Sequence, residues 1–288
     1  MKRLIINADG YGFTNGNNRG IEETVKAGIV TSISVNVNFP AVEELPKFLE
    51  KYPNISVGVH LNPVVGQPLS PLEDIPTLIN KNGEFHYKNF TKKLLNGEIN
   101  LSELELELSR QIELGIKLAG SSLTHLDSHQ NRHLYPKFFK IFLKIAKIFG
   151  IERMRTHHQM MCIETENPKL NALGYYISHP KRYLTASIAR FEMSAAKRAG
   201  MRMADRLLSV CQINKSNKTM HQSWMNIIKN VPSGNNEIFC HPGYVDATLE
   251  KYATYTYERE NELKELINPE ILDAIKKHNV ELISFHDI

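Results

Sequence analysis

Lys2-Arg3-Leu4-Ile5-Ile6-Asn7-Ala8-Asp9-Gly10-Tyr11-Gly12 is the stretch whose reading decides the fold. A short apolar run stops at Asn7 and Asp9 and then meets two glycines, which reads as a strand over residues 2–8 that ends in a turn. Residues 17–28 follow as a helix closed by Gly28. The unit then repeats. Residues 31–38 alternate like a half-buried strand, 42–51 read as a helix, and 55–61 as a strand carrying His60 near its end. A loop over 62–80 holds Pro63, Pro68, Pro71 and Pro76. Residues 101–118 give the clearest helix. Ser102 and Glu105 suggest a capping box, Leu104, Leu108, Ile112 and Ile116 recur every four residues, and Gly120 ends the pattern.

Further strands are expected over 123–128, 151–156, 237–241 and 280–285. Further helices are expected over 135–149, 219–231, 258–266 and 269–278, with a basic helix near 186–198. Strands alternating with helices imply a parallel sheet with helices outside it. Seven or eight such units in one 288-residue chain suggest a single α/β domain over residues 1–288, a barrel or distorted barrel, with an open doubly wound sheet as the alternative.

Composition narrows the function. Apolar residues make up 42% and charged residues 23%, as in a globular protein. A net charge of +4 without a Lys/Arg stripe interleaved with aromatics gives no reason to expect nucleic acid. Cys162, Cys211 and Cys240 are far apart, which argues against a disulfide framework or a thiolate metal site. The first apolar run is too short for a signal segment. No apolar stretch reaches the roughly 18 residues that a membrane span needs. A cytoplasmic protein is the expectation.

Three strand ends concentrate metal-ligating side chains: Asp9; His60; and His125, Asp127 and His129. Residues i, i+2 and i+4 of a strand face one way, so the last three share a side of the sheet. Ligands of parallel α/β sheets lie at the carboxyl ends of the strands, where Asp9, His60 and His129 can converge. Such a set suits Zn²⁺, Mn²⁺, Fe²⁺, Co²⁺ or Ni²⁺, and Mg²⁺ where water completes the sphere. Asp127 reads as a ligand, as the partner that orients a liganding histidine, or as a strand-end acceptor, the orienting role being favoured. His241, before Pro242, ends another strand. His125 and His133 are ambiguous, and the pair His157-His158 reads as incidental to a loop.

These segments resemble the YdjC-like carbohydrate deacetylase family, which includes chito-oligosaccharide deacetylases. The opening through Gly12, Asn18-Arg19-Gly20-Ile21, Gly28 to Ser32, Gly58-Val59-His60-Leu61, Thr124 to His129, His241-Pro242-Gly243, Tyr255 to Glu260 and Leu282 to Phe285 carry the likeness over nearly the whole chain. The resemblance implies a distorted TIM-like barrel, one divalent metal ion and hydrolysis of an N-acetyl group from an amino sugar. It implies His60 and His129 as metal ligands, one Asp of a pair as base and its neighbour as the third ligand, and His241 as acid; Asp9 is expected as base, and as ligand unless the two histidines hold a weaker metal with water. Arg155 is expected to anchor the sugar, with Asp127 grouped beside it among the substrate-binding residues.

The family pattern has an Asp-Asp pair after the first strand. Here the second position is Gly10, and Asn131 stands where many relatives have histidine. Two other functions stay open on that account: a sugar-binding chain without turnover, and another metal-assisted hydrolysis such as phosphoester cleavage. The stretch 174–206, with Lys181-Arg182, Arg190 and Lys197-Arg198, reads as a solvated helix face, or as a reach toward an anionic or lipid-linked substrate. The partner expected is an N-acetylated sugar, with a homodimer as the candidate assembly.

Overall fold

The computed structural model describes residues 1–160, 177, 180–208 and 219–288. Its strands are β1 (Lys2–Tyr11), β2 (Ser32–Val35), β3 (Ser56–Leu61), β4 (Leu123–Ser128), β5 (Arg153–Met154), β6 (Gln159–Met160), β7 (Arg206–Leu208), β8 (Gly234–Cys240) and β9 (Val280–Ile283). Every pairing between them is parallel, in the order β5-β4-β3-β2-β1-β8-β7-β6. Strand β9 pairs with β1 off this path. It covers residues 2–5 of β1, and β2 takes over at Asn7. The curled sheet with helices packed on it is a distorted TIM-like barrel, as the alternating pattern predicts.

The helices are α1 (Asn15–Lys26), α2 (Leu45–Lys51), α3 (Phe90–Asn96), α4 (Leu101–Ala119), α5 (Pro136–Ile148), α6 (Pro180–Arg198), α7 (Met220–Lys229), α8 (Ala247–Tyr252), α9 (Tyr257–Leu266) and α10 (Pro269–Lys277). Two expectations for α4 are corrected. Its cap is Asn100, whose side chain accepts from the Ser102 N–H, in place of a Ser102–Glu105 box. Ile116 is 38% exposed, whereas Leu104, Leu108 and Ile112 are fully buried. Four-residue steps advance about 40° beyond a full turn, so the fourth member of the series has rotated off the buried stripe. Strands β6 and β7 and helices α3 and α8 were not expected. They are short, and a two- or three-residue strand shows no periodicity.

The barrel interior is layered. Ile5, Ile283 and Phe285 form a small apolar cluster at its base. Above them lie Asn7, Ser34 and His125, with the His125 ring stacked 3.7 Å from that of Phe285. Alternation along β1 and β4 then raises Asp9 and Asp127 into the next layer and His129 to the mouth.

Register explains one glycine. Gly58 pairs across β3–β4 with His125, and a Cβ at position 58 would come within 2.6 Å of the His125 ring carbons. Gly58→Ala should therefore lower stability by about 1–3 kcal/mol, the usual cost of overfilling a core. Chemical denaturation reads this directly, and an unchanged midpoint would mean that the ring moves aside freely.

Among the described residues no helix is long and apolar enough to cross a membrane. On α6 the cations Arg190, Lys197 and Arg198 are exposed to solvent. Cys240 is buried. Cys162 and Cys211 lie outside the described residues, as do the side chains of Lys181 and Arg182.

Candidate metal centre and active site

Parallel strands place their carboxyl ends on one side of the barrel, and four of them deliver the site. Asp9 comes from β1 and His60 from β3. His129 directly follows β4, and His241 directly follows β8. All four line one pocket with Gly10, Asn36 and Arg259.

Beneath the pocket lies a buried ion cluster. Register sets His60 opposite Asp127, and His60 Nδ1 donates to Asp127 Oδ1 at 2.8 Å. Ser34 Oγ donates to Asp127 Oδ2 at 2.8 Å. Arg155, 1% exposed, bridges three carboxylates. Its Nη1 and Nη2 donate to Asp9 Oδ2 and Oδ1 at 2.7 and 2.6 Å. The same Nη1 lies 2.9 Å from Asp127 Oδ2, and Nε donates to Glu237 Oε1 at 2.8 Å. Asn7 Nδ2 adds a 2.7 Å bond to Asp9 Oδ1. Arg155 thus lies under the pocket with its donors directed at protein carboxylates.

These contacts set the charge states. Burial alone would raise the Asp9 carboxyl, but the charge and hydrogen bonds of Arg155 bring it below the usual carboxylate range. Asp127 is likewise held low against burial by Arg155 and His60. Burial opposes the charged form of His60, but Asp127 beside it and Asp9 lift its pKa above the ordinary imidazole value. His241 goes the other way, lowered to about 3 by burial and then by the Arg259 charge. His129 falls well below the usual value for the same two reasons, with His60 adding to them. Glu237 and Glu262 are pushed up to about 7, chiefly by burial.

Acid stability follows from these directions. His125, His133 and His241 have folded-state pKa values of about 3, and His129 and His157 lie well below 6.5, all lowered mainly by burial. The unfolded chain takes up protons at these five as pH falls through about 6.5, and the folded chain does not. Their contribution is therefore present above about 6.5 and is lost toward 3. Glu237 and Glu262, pushed up to about 7, and Glu192, pushed up to about 8 by burial, act oppositely down to about 4.5, but three groups oppose these five, and the downward shifts of His86 and His158 add to the five. The thermal midpoint of chelator-treated protein should fall steadily from pH 6.5 to 4; a flat profile would contradict these burials.

Three residues stand apart from what the sequence suggested. His157 is no incidental loop residue: it is 2% exposed, and its ring lies 4.7 Å from that of His133. Glu237 went unnoticed, although Glu237, Phe239 and His241 alternate along β8 and its end, and that period could have pointed to it. Arg259, on α9, was quoted only as part of a longer resemblance. Nothing in a helical sequence shows that one arginine will be buried.

Asp9, His60 and Asp127 each offer an atom within 4.8 Å of the others, a group that could hold a metal ion. The hydrogen bonds assign Asp127 a second task, because it already takes His60 Nδ1 and leaves the ring's Nε2 for a ligand. His129 Nε2 is buried with no hydrogen-bond partner, and its ring centre lies 5.6 Å from that of His60. The close group is thus two carboxylates and one imidazole, which fits a divalent ion, and His129 lines the same pocket outside that group.

Comparison with known proteins agrees with this architecture. A "Carbohydrate deacetylase" of Thermoanaerobacter pseudethanolicus is 26% identical over 285 residues, covering 99% of this chain and 98% of the relative. A "Chitooligosaccharide deacetylase" of Serratia marcescens is 27% identical over 287 residues, covering 100% and 99%. A crystal structure from Enterococcus faecalis V583, of a protein to which cellobiose-phosphate cleavage has been provisionally ascribed, shares the fold. It has a TM-score of 0.77 and 24% identity, covering 99% of this chain and 98% of that one. The sequence model of the family described as YdjC-like protein matches residues 3–277, and the chain belongs to that family.

Proposed function

We propose that this protein is a metal-dependent hydrolase that removes the N-acetyl group from an acetylated amino sugar. The observation that carries the reading is the convergence of Asp9, His60, His129 and His241 on one pocket, in a chain that aligns end to end with carbohydrate deacetylases. His60 Nε2 and His129 Nε2 would hold the ion with Asp9, and Asp127 fixes the ring of His60 through Nδ1. When bound, such an ion supplies Lewis acidity toward the amide carbonyl and the attacking water.

The chain's own residues manage the protons. Asp9, kept ionised by Arg155, accepts the proton of the attacking water. His241 Nε2 lies 4.0 Å from Asp9 Oδ2, on the same side of the pocket. With a pKa of about 3 His241 starts neutral, so the proton it delivers to the leaving nitrogen is one it has received during the cycle from Asp9 or from the attacking water. The amide nitrogen then leaves as a neutral amine carrying that proton, and the second water proton, left on the acid product, passes to the amine or to solvent, so that acetate remains. Arg155 positions Asp9 and does not meet the sugar; this replaces the sugar-anchoring role expected of it.

One observation favours a second reading, a sugar-binding chain without turnover. Gly10 supplies no carboxylate where the family pattern has one, and a cation, Arg259, stands beside it. Metal content and acetate release decide between them. Loading with Zn²⁺, Co²⁺, Mn²⁺, Ni²⁺ or Mg²⁺ should give acetate from at least one N-acetylated mono- or oligosaccharide, and chelation should stop it. Binding of such sugars with no acetate under any of these ions would establish the second reading.

A further inference from the structure

Position 10 is a notch with a cation beside it. The bulge between Asp9 and Tyr11 sets Gly10 at φ +103°, in the region that favours glycine. A Cβ there would lie 3.6 Å from Arg259 Nη1 and 3.3 Å from Asn17 Nδ2. Arg259 is 7% exposed. Its Nε donates to the Tyr255 carbonyl at 2.9 Å, but its Nη1 is buried without a hydrogen-bond partner. No carboxylate reaches it within ion-pair distance among the described residues. Glu262, one turn along α9, instead accepts the His241 backbone N–H on Oε2 at 2.7 Å, and Asp9 is held by Arg155. Across the notch, Asn36 turns its Oδ1 toward position 10, 4.0 Å from that Cβ, while its Nδ2 is buried and unpartnered. Both Arg259 and Asn36 line the pocket that holds Asp9, His60 and His241.

A buried guanidinium with an unused donor is costly unless a ligand completes it. The ligand must be an acceptor, preferably anionic, and small enough for a notch that one Cβ would nearly fill. We propose that Gly10, Asn36 and Arg259 form a carboxylate subsite that takes the acetyl oxygen as it becomes anionic and then holds the acetate product, which makes Arg259 a further catalytic residue of this chain. The identity of the anion rests on the deacetylase reading; the existence of the subsite does not. In the step itself, water oxygen bonds to the acetyl carbon, the C–N bond breaks, the nitrogen takes one water proton, and the other passes from the new carboxyl group to the amine or to solvent. The second carboxylate oxygen is the former carbonyl oxygen, and Arg259 Nη1 donates to it as charge accumulates there, with Asn36 Nδ2 joining once its amide turns over, since no hydrogen bond holds that nitrogen in place. In this protein part of the charge on that oxygen therefore falls to a guanidinium, in the place where the family pattern has a carboxylate.

The test is acetate binding to chelator-treated protein, followed by NMR titration, with circular dichroism to qualify each variant as folded. Chelation removes the ion as a rival acetate site, so failure of the subsite and failure of the metal reading are told apart. Wild type should bind acetate saturably. Arg259→Gln should weaken it about ten- to a hundredfold, as for a lost charged hydrogen bond. Gly10→Asp should weaken it similarly, by offering Arg259 an internal carboxylate. Should Arg259→Gln not fold, Arg259→Lys takes its place, since an ammonium does not reproduce the fork. In turnover, Arg259→Gln should lower kcat more than it raises KM and relieve inhibition by acetate. Absence of saturable acetate binding in wild type, or unchanged affinity in the folded variants, would overturn the proposal. So would Arg259-dependent binding of inorganic phosphate with none of acetate.

Discussion

Arg155→Met should destabilise this protein more than any other substitution at the site, by about 3–5 kcal/mol, and remove activity with it. The reason is the company Arg155 keeps. Asp9, Asp127 and Glu237 all direct oxygens at one guanidinium that is 1% exposed. Methionine preserves the apolar stem, whose guanidinium end lies 5.0 Å from the Phe239 ring centre, so the loss is mainly one of charge. Three buried carboxylates would then share only the imidazole of His60, which pairs with Asp127 alone. They could relax only by taking up protons, and Asp9 would lose both its orientation and its ionisation. Urea unfolding at pH 7 and again at pH 5 measures this: the deficit should shrink at the lower pH, where protonation relieves the repulsion. A variant as stable as wild type at pH 7 would show that the cluster is already neutralised by its own protons.

Asp9→Asn should lower kcat by about a hundred- to ten-thousandfold, the range for loss of a positioned base. The substitution keeps the size but turns one oxygen into an NH2 group. That group would face the donors of Arg155 and Asn7, which now donate to Asp9 at 2.6 to 2.7 Å. A loss of stability should accompany the loss of rate, and denaturation separates the two. Metal titration of the same variant tells whether Asp9 is also a ligand. Turnover within a few-fold of wild type in a folded Asp9→Asn protein would exclude the base role.

The sequence makes legible what depends on period and on strand ends. The parallel barrel follows from alternating units, and the four side chains of the pocket come from strand ends that period-two reasoning picks out. His60, opposite Asp127, was within reach because both sit in short apolar strands whose direction is unambiguous. What escaped depends on tertiary company. Arg155 ends a strand and looks like a group for the substrate. Only the three carboxylates from β1, β4 and β8 show that its charge is already engaged. Gly10 can be read as a missing ligand, but its φ and the guanidinium beside it cannot be read from a glycine. Ile116 fails because a four-residue repeat drifts around a helix, and His157 because no local signal tells a buried loop histidine from an exposed one.

Strand β1 has a consequence for how the molecule comes into being. Its neighbours on either edge include β8 and β9, with pairings such as Lys2↔Gly234 and Lys2↔Val280. During synthesis the first strand must therefore wait, with β2 as its nearest partner in sequence, until more than 200 further residues have been made. Such non-local closure is slow to form and leaves apolar edges open meanwhile. Asp9 sits on that waiting strand, and Arg155 and Glu237 arrive long after it, so its carboxylate gains its partners only in the final stage of folding. A nascent chain arrested before β8 should therefore carry unprotected β1 amides and be sensitive to protease at its first strand, and should depend on chaperones far more than the finished protein.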